Sequence, residues 1–250
     1  MRFIDFIIKI FDKKVLINWC CDILLTVITE INQPIPFDMF YKIAEFIKTN
    51  IPNIKNEFIL HNFLSCLFKL SNYYDNNEDI SNALSHVLKI VEEIYLQYYS
   101  HAANFRNDKE TLKKLLILIE ATIRNLDGRR NIELHQNFMK QFLFRFYNEI
   151  NQLFVEFHDV TGVYKQFCSF FRTITKSCPL EIYNYAPSLL DTMFEVMKKN
   201  PIKYTDSLGI CEATIAFNIQ NEFIITWVKN NCQNLNMWLC QMLIENNDSD

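Results

Sequence analysis

Residues Phe144–Phe217 read FRFYNEINQLFVEFHDVTGVYKQFCSFFRTITKSCPLEIYNYAPSLLDTMFEVMKKNPIKYTDSLGICEATIAF and carry the clearest structural signal in the chain. Apolar side chains recur every three or four residues in three successive segments, which is the spacing of amphipathic helices. Pro179, Pro187 and Pro201 stand between these segments or near their starts, where proline is tolerated. No alternating strand pattern interrupts them. The stretch therefore predicts consecutive α-helices.

The same periodicity continues on both sides of this stretch. It predicts one or two helices over about residues 2–31, and helix pairs that begin near Pro36, Ile80, Asn131 and Glu181. These starts are separated by about 44, 51 and 50 residues, close to the ~40–47 residues of HEAT and armadillo repeats. The repeat is one of helix length and apolar spacing, since the pairs share little sequence identity.

This organisation predicts an all-α fold, an α-solenoid of irregular HEAT- or armadillo-like antiparallel helix pairs. A compact helical bundle is the structural alternative. The presence of only three glycines and six prolines disfavours sheet-rich folds, which need more turn residues. We expect one helical-repeat domain over residues 1–250 with a polar tail at 245–250. Its approximate units are 1–33, 36–70, 80–126, 131–178, 181–218 and 221–244.

Composition restricts the function classes. Half of the residues are hydrophobic, which is enough for a substantial core, and the net charge is -4. Lys and Arg are dispersed rather than gathered into a basic stripe, so no nucleic-acid partner is expected. No stretch approaches the ~18 apolar residues of a membrane span, so no membrane insertion is expected. The eight cysteines form no C-x-x-C pair, which favours a reducing compartment, the cytoplasm or nucleus.

Two clusters invite a metal or anion interpretation. Asp75, Glu78 and Asp79 lie in the most polar loop, but the loop lacks the glycine and the distal glutamate of a calcium-binding EF-hand. An Asp or Asn that caps the following helix explains this loop better. Arg129 and Arg130 follow a turn and are interpreted as solvated side chains.

Cysteine and histidine offer little nucleophilic chemistry. His158 and Asp159 are adjacent and could orient an imidazole base, with Cys168 as the nearest candidate nucleophile one helix further on. A histidine at a helix end beside an N-capping aspartate is the simpler interpretation. Cys20 and Cys21 point about 100° apart on a helix and do not share a metal. We therefore predict no catalytic, cofactor-binding or metal-binding residues and no cofactor, and we expect that the protein is not an enzyme.

A family resemblance is carried by residues 150–217. A helix pair, INQLFVEFHDVTGVYKQFCSFFRTITKS, precedes the segment from Tyr185 to Leu190, an apolar helix end at Phe194–Met197, and Asn200–Pro201 leading into another apolar helix that contains Leu208. This order resembles HEAT repeats of the importin-β superfamily of nuclear transport receptors. The most similar branch is the one that contains transportin-SR and importin thirteen.

The resemblance implies a non-enzymatic carrier that moves protein cargo through nuclear pores under control of the GTPase Ran. The implied partners are protein cargo, Ran and nucleoporins, and the implied location is the cytoplasm and nucleus. Members of the family are several times longer than this chain, so the resemblance implies part of a longer receptor or a short relative. The alternative is a generic α-solenoid scaffold in a trafficking or regulatory complex. A helical enzyme with a site assembled across helices is the third hypothesis.

Overall fold

A computed structural model describes residues 23, 26–28, 30, 31, 33–50, 57–126, 132–178, 182–200 and 203–247. Across these residues the fold is all-α, with nine α-helices whose two ends are defined, one short 3-10 helix and no strand. Most of the helix predicted over residues 2–31 falls outside the described residues, as do Cys20, Cys21, Arg129 and Arg130.

The chain divides into two compact units between Phe138 and Met139. The first contains four complete α-helices: α1 (Phe37–Asn50), α2 (Glu57–Ser71), α3 (Asn77–Tyr99) and α4 (Lys109–Leu126), with a 3-10 turn at Ala102–Asn104. The division falls within α5 (Ile132–Phe157). Helices α6 (Tyr164–Ser177), α7 (Ala186–Lys199), α8 (Thr205–Phe217) and α9 (Glu222–Asn247) belong to the second unit.

Helix starts follow from local side-chain chemistry. The Asp79 backbone N–H donates to Asn76 Oδ1 at 2.8 Å, so Asn76 is the N-cap of α3. At the start of α4, Asp108 Oδ1 accepts the Thr111 backbone N–H at 3.1 Å. Each bond satisfies an otherwise unpaired N–H of a first helical turn. The predicted capping role of the acidic loop is confirmed.

Helix α4 is the central element of the first unit. It packs against α2 and α3, while α1 packs against α3. Nearly all of α4 from Leu115 to Leu126 is buried, including Ile117 and Leu118, with Arg124 the exposed exception. The sequence predicts this, because apolar residues cover a wide arc of the helix.

In the second unit, α8 packs against α6 and α7, and α9 packs against α7. The Phe154 ring of α5 lies 5.3 Å from the rings of both Phe167 and Phe171 in edge-to-face geometry. The predicted inward face of α7 is confirmed, since all six of its residues are buried: Ala186, Leu189, Leu190, Met193, Phe194 and Met197.

Some apolar residues of the predicted stripes are not part of the core. Tyr41, Ala216 and Leu239 are exposed, although each lies on a predicted apolar stripe. Tyr41 lies instead edge-on to the His86 ring on α3, with a centroid separation of 4.5 Å. Helix α9 continues to Asn247, inside the predicted polar tail. In the described part of the chain no helix combines the length and apolarity needed to cross a membrane.

Candidate protein-binding surface

The candidate catalytic pair does not have the environment of a nucleophile and its base. His158 lies at the C-terminal end of α5 and is buried, with Nδ1 3.1 Å from the carbonyl oxygens of Phe154 and Val155. Burial lowers its pKa, and the nearby Lys199 charge lowers it further. The helix-end placement agrees with the sequence interpretation. The N-cap of α6 is Val163, however, so the N-capping role expected of Asp159 is wrong.

Cys168 is a core residue of α6. Its side chain is buried, and burial raises the pKa of the thiol to about 12. A reactive cysteine needs the opposite, a lowered pKa that populates the thiolate at neutral pH. Among the described cysteines Cys66, Cys178 and Cys211 are buried as well, whereas Cys232 and Cys240 are exposed.

Several acidic residues in the described ranges cap helices or pair with basic side chains. Asp79 Oδ2 accepts a hydrogen bond from Asn76 Nδ2 at 2.7 Å, which holds the predicted acidic loop against the start of α3. Within these ranges no group of three or more His, Cys, Asp or Glu side chains is placed to hold a metal ion.

A groove lies between α5 and α7 in the second unit. We call it the α5–α7 groove; it is lined by Val155, Asp191, Thr192, Glu195, Val196 and Lys199 and has a volume of about 240 Å³. Small-molecule and cofactor sites generally reach ~300–1,000 Å³. The α5–α7 groove is smaller than this range and has room for one or two side chains of another protein.

Hydrogen bonds fix the walls of the α5–α7 groove. Asn151 Nδ2 on α5 donates to Thr192 Oγ1 on α7 at 3.2 Å, which ties the two helices together. The Trp227 indole Nε1 on α9 donates to Asp191 Oδ1 at 2.8 Å and so orients that carboxylate. On the rim, Lys198 Nζ lies 2.6 Å from Glu195 Oε1.

Two exposed apolar side chains lie on the outer face of α5. Val155 is 54% exposed and Phe144 is 80% exposed. The two residues are eleven positions apart, which is about three helical turns, so they lie on one face of α5. We therefore treat this face of α5 as a candidate contact surface for a protein partner.

Polar contacts also join α6 to α8 within the second unit. Arg172 Nη2 lies 2.7 Å from Asp206 Oδ1, and Tyr164 Oη lies 2.8 Å from Ser207 Oγ. The Arg172 guanidinium also passes close to Gly209, where a Cβ would lie 3.5 Å from Nη2. At this distance a Cβ would make an ordinary van der Waals contact with the arginine.

Sequence reasoning missed Phe144 as a surface residue. The predicted inward stripe of α5 is correct at Phe142, Phe146 and Ile150, which are buried. Phe144 is two positions from both Phe142 and Phe146, about 200° around the helix. That offset is the signal that places Phe144 on the opposite face.

Comparisons with known proteins give no match. No protein-family model, no curated protein and no solved structure is significantly similar to the chain.

Proposed function

We propose that the chain is a non-enzymatic, protein-binding helical-repeat module whose antiparallel helix pairs stack as an irregular HEAT-like solenoid. The supporting observation is the set of contacts between helices two apart in the second unit. Their sequence separations are 41 for Asn151–Thr192, 36 for Asp191–Trp227, 34 for Arg172–Asp206 and 43 for Tyr164–Ser207. A separation near one repeat length is what successive stacked helix pairs produce.

The first unit also has a hydrogen bond of similar sequence separation, between two connecting segments, and packing between helices two apart. Tyr74 Oη donates to the Ile35 carbonyl oxygen at 3.0 Å across 39 residues. Helix α1 packs on α3, and α2 packs on α4. In a compact bundle, the alternative fold, close packing is not restricted to neighbours one and two positions away in the chain. The recurring two-apart packing within each unit favours stacking.

The binding surface that we propose is the α5–α7 groove together with Phe144. A helical-repeat module works by presenting a surface to other proteins rather than by chemistry. Phe144 and Val155 provide apolar contact area, while Asp191 and Lys199 at the rim provide polar contacts. The partner is a protein segment that buries an apolar side chain in the groove.

More specifically, we propose that the chain is part of a Ran-dependent nuclear transport receptor that carries protein cargo through nuclear pores. It rests on the resemblance of residues 150–217 to the importin-β superfamily. Cargo, Ran and nucleoporins are the corresponding partners, and the chain is then located in the cytoplasm and nucleus.

The transport proposal is tested by measuring binding of the purified chain to Ran loaded with GTP and to Ran loaded with GDP. Preferential binding to the GTP form is expected, because nucleotide-controlled binding is what distinguishes a transport receptor from other helical-repeat proteins. Equal binding to both forms would contradict the Ran-dependent part. A protein partner that binds through Phe144 without any Ran dependence would identify a generic scaffold instead.

A further inference from the structure

The α5–α7 groove has an apolar centre and a charged residue toward each end. Val155 of α5 and Val196 of α7 both line it and provide the apolar surface. Asp191 and Lys199 line the same groove, and Val196 lies between them in the sequence of α7. These two charged residues are eight positions apart, which is about 12 Å along the helix axis. A negative and a positive charge therefore lie on opposite sides of the apolar centre.

The two helices that form the groove run in the same direction. Tyr147 Oη of α5 lies 3.4 Å from the carbonyl oxygen of Tyr185, the N-cap residue of α7. One turn further along both helices, Asn151 Nδ2 donates to Thr192 Oγ1 at 3.2 Å. The contacts thus advance along α5 and α7 together. The acidic end of the groove lies toward the N-terminal side of both helices, and the basic end lies toward their C-terminal side.

The charges at the two ends are available to a partner. The Trp227 indole donates to Oδ1 of the exposed Asp191 carboxylate at 2.8 Å, which leaves Oδ2 for an outside donor. Lys199 is exposed and forms no ion pair with another residue that the structure describes. Glu195, the third charged residue of the lining, is paired with Lys198 at 2.6 Å. The groove therefore presents one open carboxylate and one open ammonium group.

We propose that the occupant of the α5–α7 groove is an extended protein segment in which one apolar residue stands between a basic and an acidic residue. The basic residue contacts Asp191, the acidic residue contacts Lys199, and the apolar residue packs on Val155 and Val196. Opposite charges at the two ends select such a segment and fix the direction in which it binds. This proposal rests on the proposed function, because it specifies the partner of the same surface.

The size of the groove favours an extended segment over a helix. A helix that binds in a groove anchors itself through several apolar residues, at positions i, i+3, i+4 and i+7. A volume of about 240 Å³ has room for one or two side chains only. An extended chain advances ~3.3 Å per residue, so a separation of about 12 Å corresponds to roughly three or four residues. We therefore expect opposite charges three or four positions apart, with the apolar anchor between them.

A displayed peptide library with a fixed central leucine and random flanking residues, selected on the immobilised intact chain, tests the proposal. On the wild type we expect enriched peptides to carry a basic residue on one side of the leucine and an acidic residue on the other. On Lys199→Glu the acidic residue should be replaced by a basic one, because the charge at that end is reversed. Lys203→Glu is the matched control, since Lys203 is exposed nearby but does not line the groove.

Binding of one enriched peptide in synthetic form gives the magnitude. Lys199→Glu should weaken its binding roughly two- to fivefold or more, the range of an exposed ion pair, and Lys203→Glu should leave it unchanged. Replacing the acidic residue of the peptide by lysine should restore binding to Lys199→Glu, which a merely structural role of Lys199 would not produce. Fluorescence anisotropy of the labelled peptide measures these affinities.

The outcomes separate this inference from the function on which it rests. Leucine-anchored peptides without a charge preference, or the same charges on Lys199→Glu as on the wild type, would overturn the proposed partner and leave the groove as a protein-binding surface. An equal effect of Lys203→Glu would overturn it too, because the charge would then act from outside the groove. No enrichment of leucine-anchored peptides on the wild type would overturn both proposals.

Discussion

The indole Nε1 of Trp227 donates a hydrogen bond of 2.8 Å to Oδ1 of Asp191, which joins α9 to α7 at the α5–α7 groove. Trp227 is buried, and its ring also lies 5.3 Å from Phe194 in edge-to-face geometry. A single tryptophan therefore connects the packing of α9 with the orientation of a carboxylate in the proposed binding surface.

Replacing Trp227 by Phe keeps an aromatic ring against Phe194 but removes the indole donor. We expect the free energy of unfolding to fall by about 1–3 kcal/mol, from the lost hydrogen bond to a charged acceptor and the smaller ring. Urea denaturation measures this change in the free energy of unfolding. Asp191→Asn keeps an acceptor oxygen and should cost less than Asp191→Ala; equal costs for these two variants would contradict a role for the hydrogen bond.

For Gly209, in the middle of α8, we predict a substitution that raises stability rather than lowering it. A Cβ at this position would lie 3.5 Å from Arg172 Nη2, an ordinary van der Waals distance. Gly209→Ala should therefore stabilise the protein by roughly 0.5–1 kcal/mol, since alanine has the higher helix propensity. The melting temperature reports the change. A decrease would show that the contact with Arg172 leaves no room for a methyl group.

Phe144 and Phe146 provide a matched pair on one helix. Phe146 is 3% exposed and Phe144 is 80% exposed. Phe146→Ala should cost about 3–5 kcal/mol through lost burial and a cavity, whereas Phe144→Ala should change stability by less than ~0.5 kcal/mol. Chemical denaturation of both variants checks this. Similar losses for the two would mean that Phe144 is also a core residue.

His158 gives a pH prediction. Burial lowers its pKa in the folded chain below the ~6.5 of a free histidine, so the unfolded chain takes up the proton first as the pH falls. The stability that this histidine contributes is present above its unfolded pKa and is lost progressively as the pH decreases through and below that value. An NMR titration should give a midpoint for the His158 ring below 6.5. A midpoint above it would contradict the buried, neutral ring.

The buried and the exposed cysteines should differ in thiol reactivity. Burial raises the pKa of the Cys66 thiol to about 11 and that of the Cys211 thiol to about 12. Iodoacetamide should therefore modify Cys232 and Cys240 in the native protein, and Cys66, Cys168, Cys178 and Cys211 only after denaturant is added. Peptide mass spectrometry identifies the modified residues. Rapid native labelling of Cys168 would revive it as a candidate nucleophile.

The helices and most of their buried faces could be predicted from the sequence because each is encoded locally. The apolar stripe of α7, from Ala186 to Met197, repeats at helical spacing, and its six predicted residues are all buried. The wide apolar arc of α4 likewise predicted a helix surrounded by neighbours. Such signals depend only on residues three or four positions apart, so they can be recognised in a single sequence.

The surface could not be predicted in the same way, because it depends on which helices become neighbours. Tyr41 and Leu239 lie on apolar stripes yet remain exposed in the structure. The α5–α7 groove requires Val155 and Asp191 to come together from separate helices. The hydrogen bond between Asn151 and Thr192 joins residues 41 positions apart, and no local pattern encodes it.

The most direct test of the central claim, that this module binds proteins through the α5–α7 groove and Phe144, is selection of a displayed peptide library on the immobilised chain. The variants Phe144→Ala and Val155→Glu are selected in parallel, with Phe217→Ala as the control for an exposed phenylalanine elsewhere in the same unit. We predict that peptides with an apolar anchor are enriched on the wild type and on Phe217→Ala, and are lost on both groove variants. Enrichment of the same peptides on all four proteins, or on none, would contradict the claim.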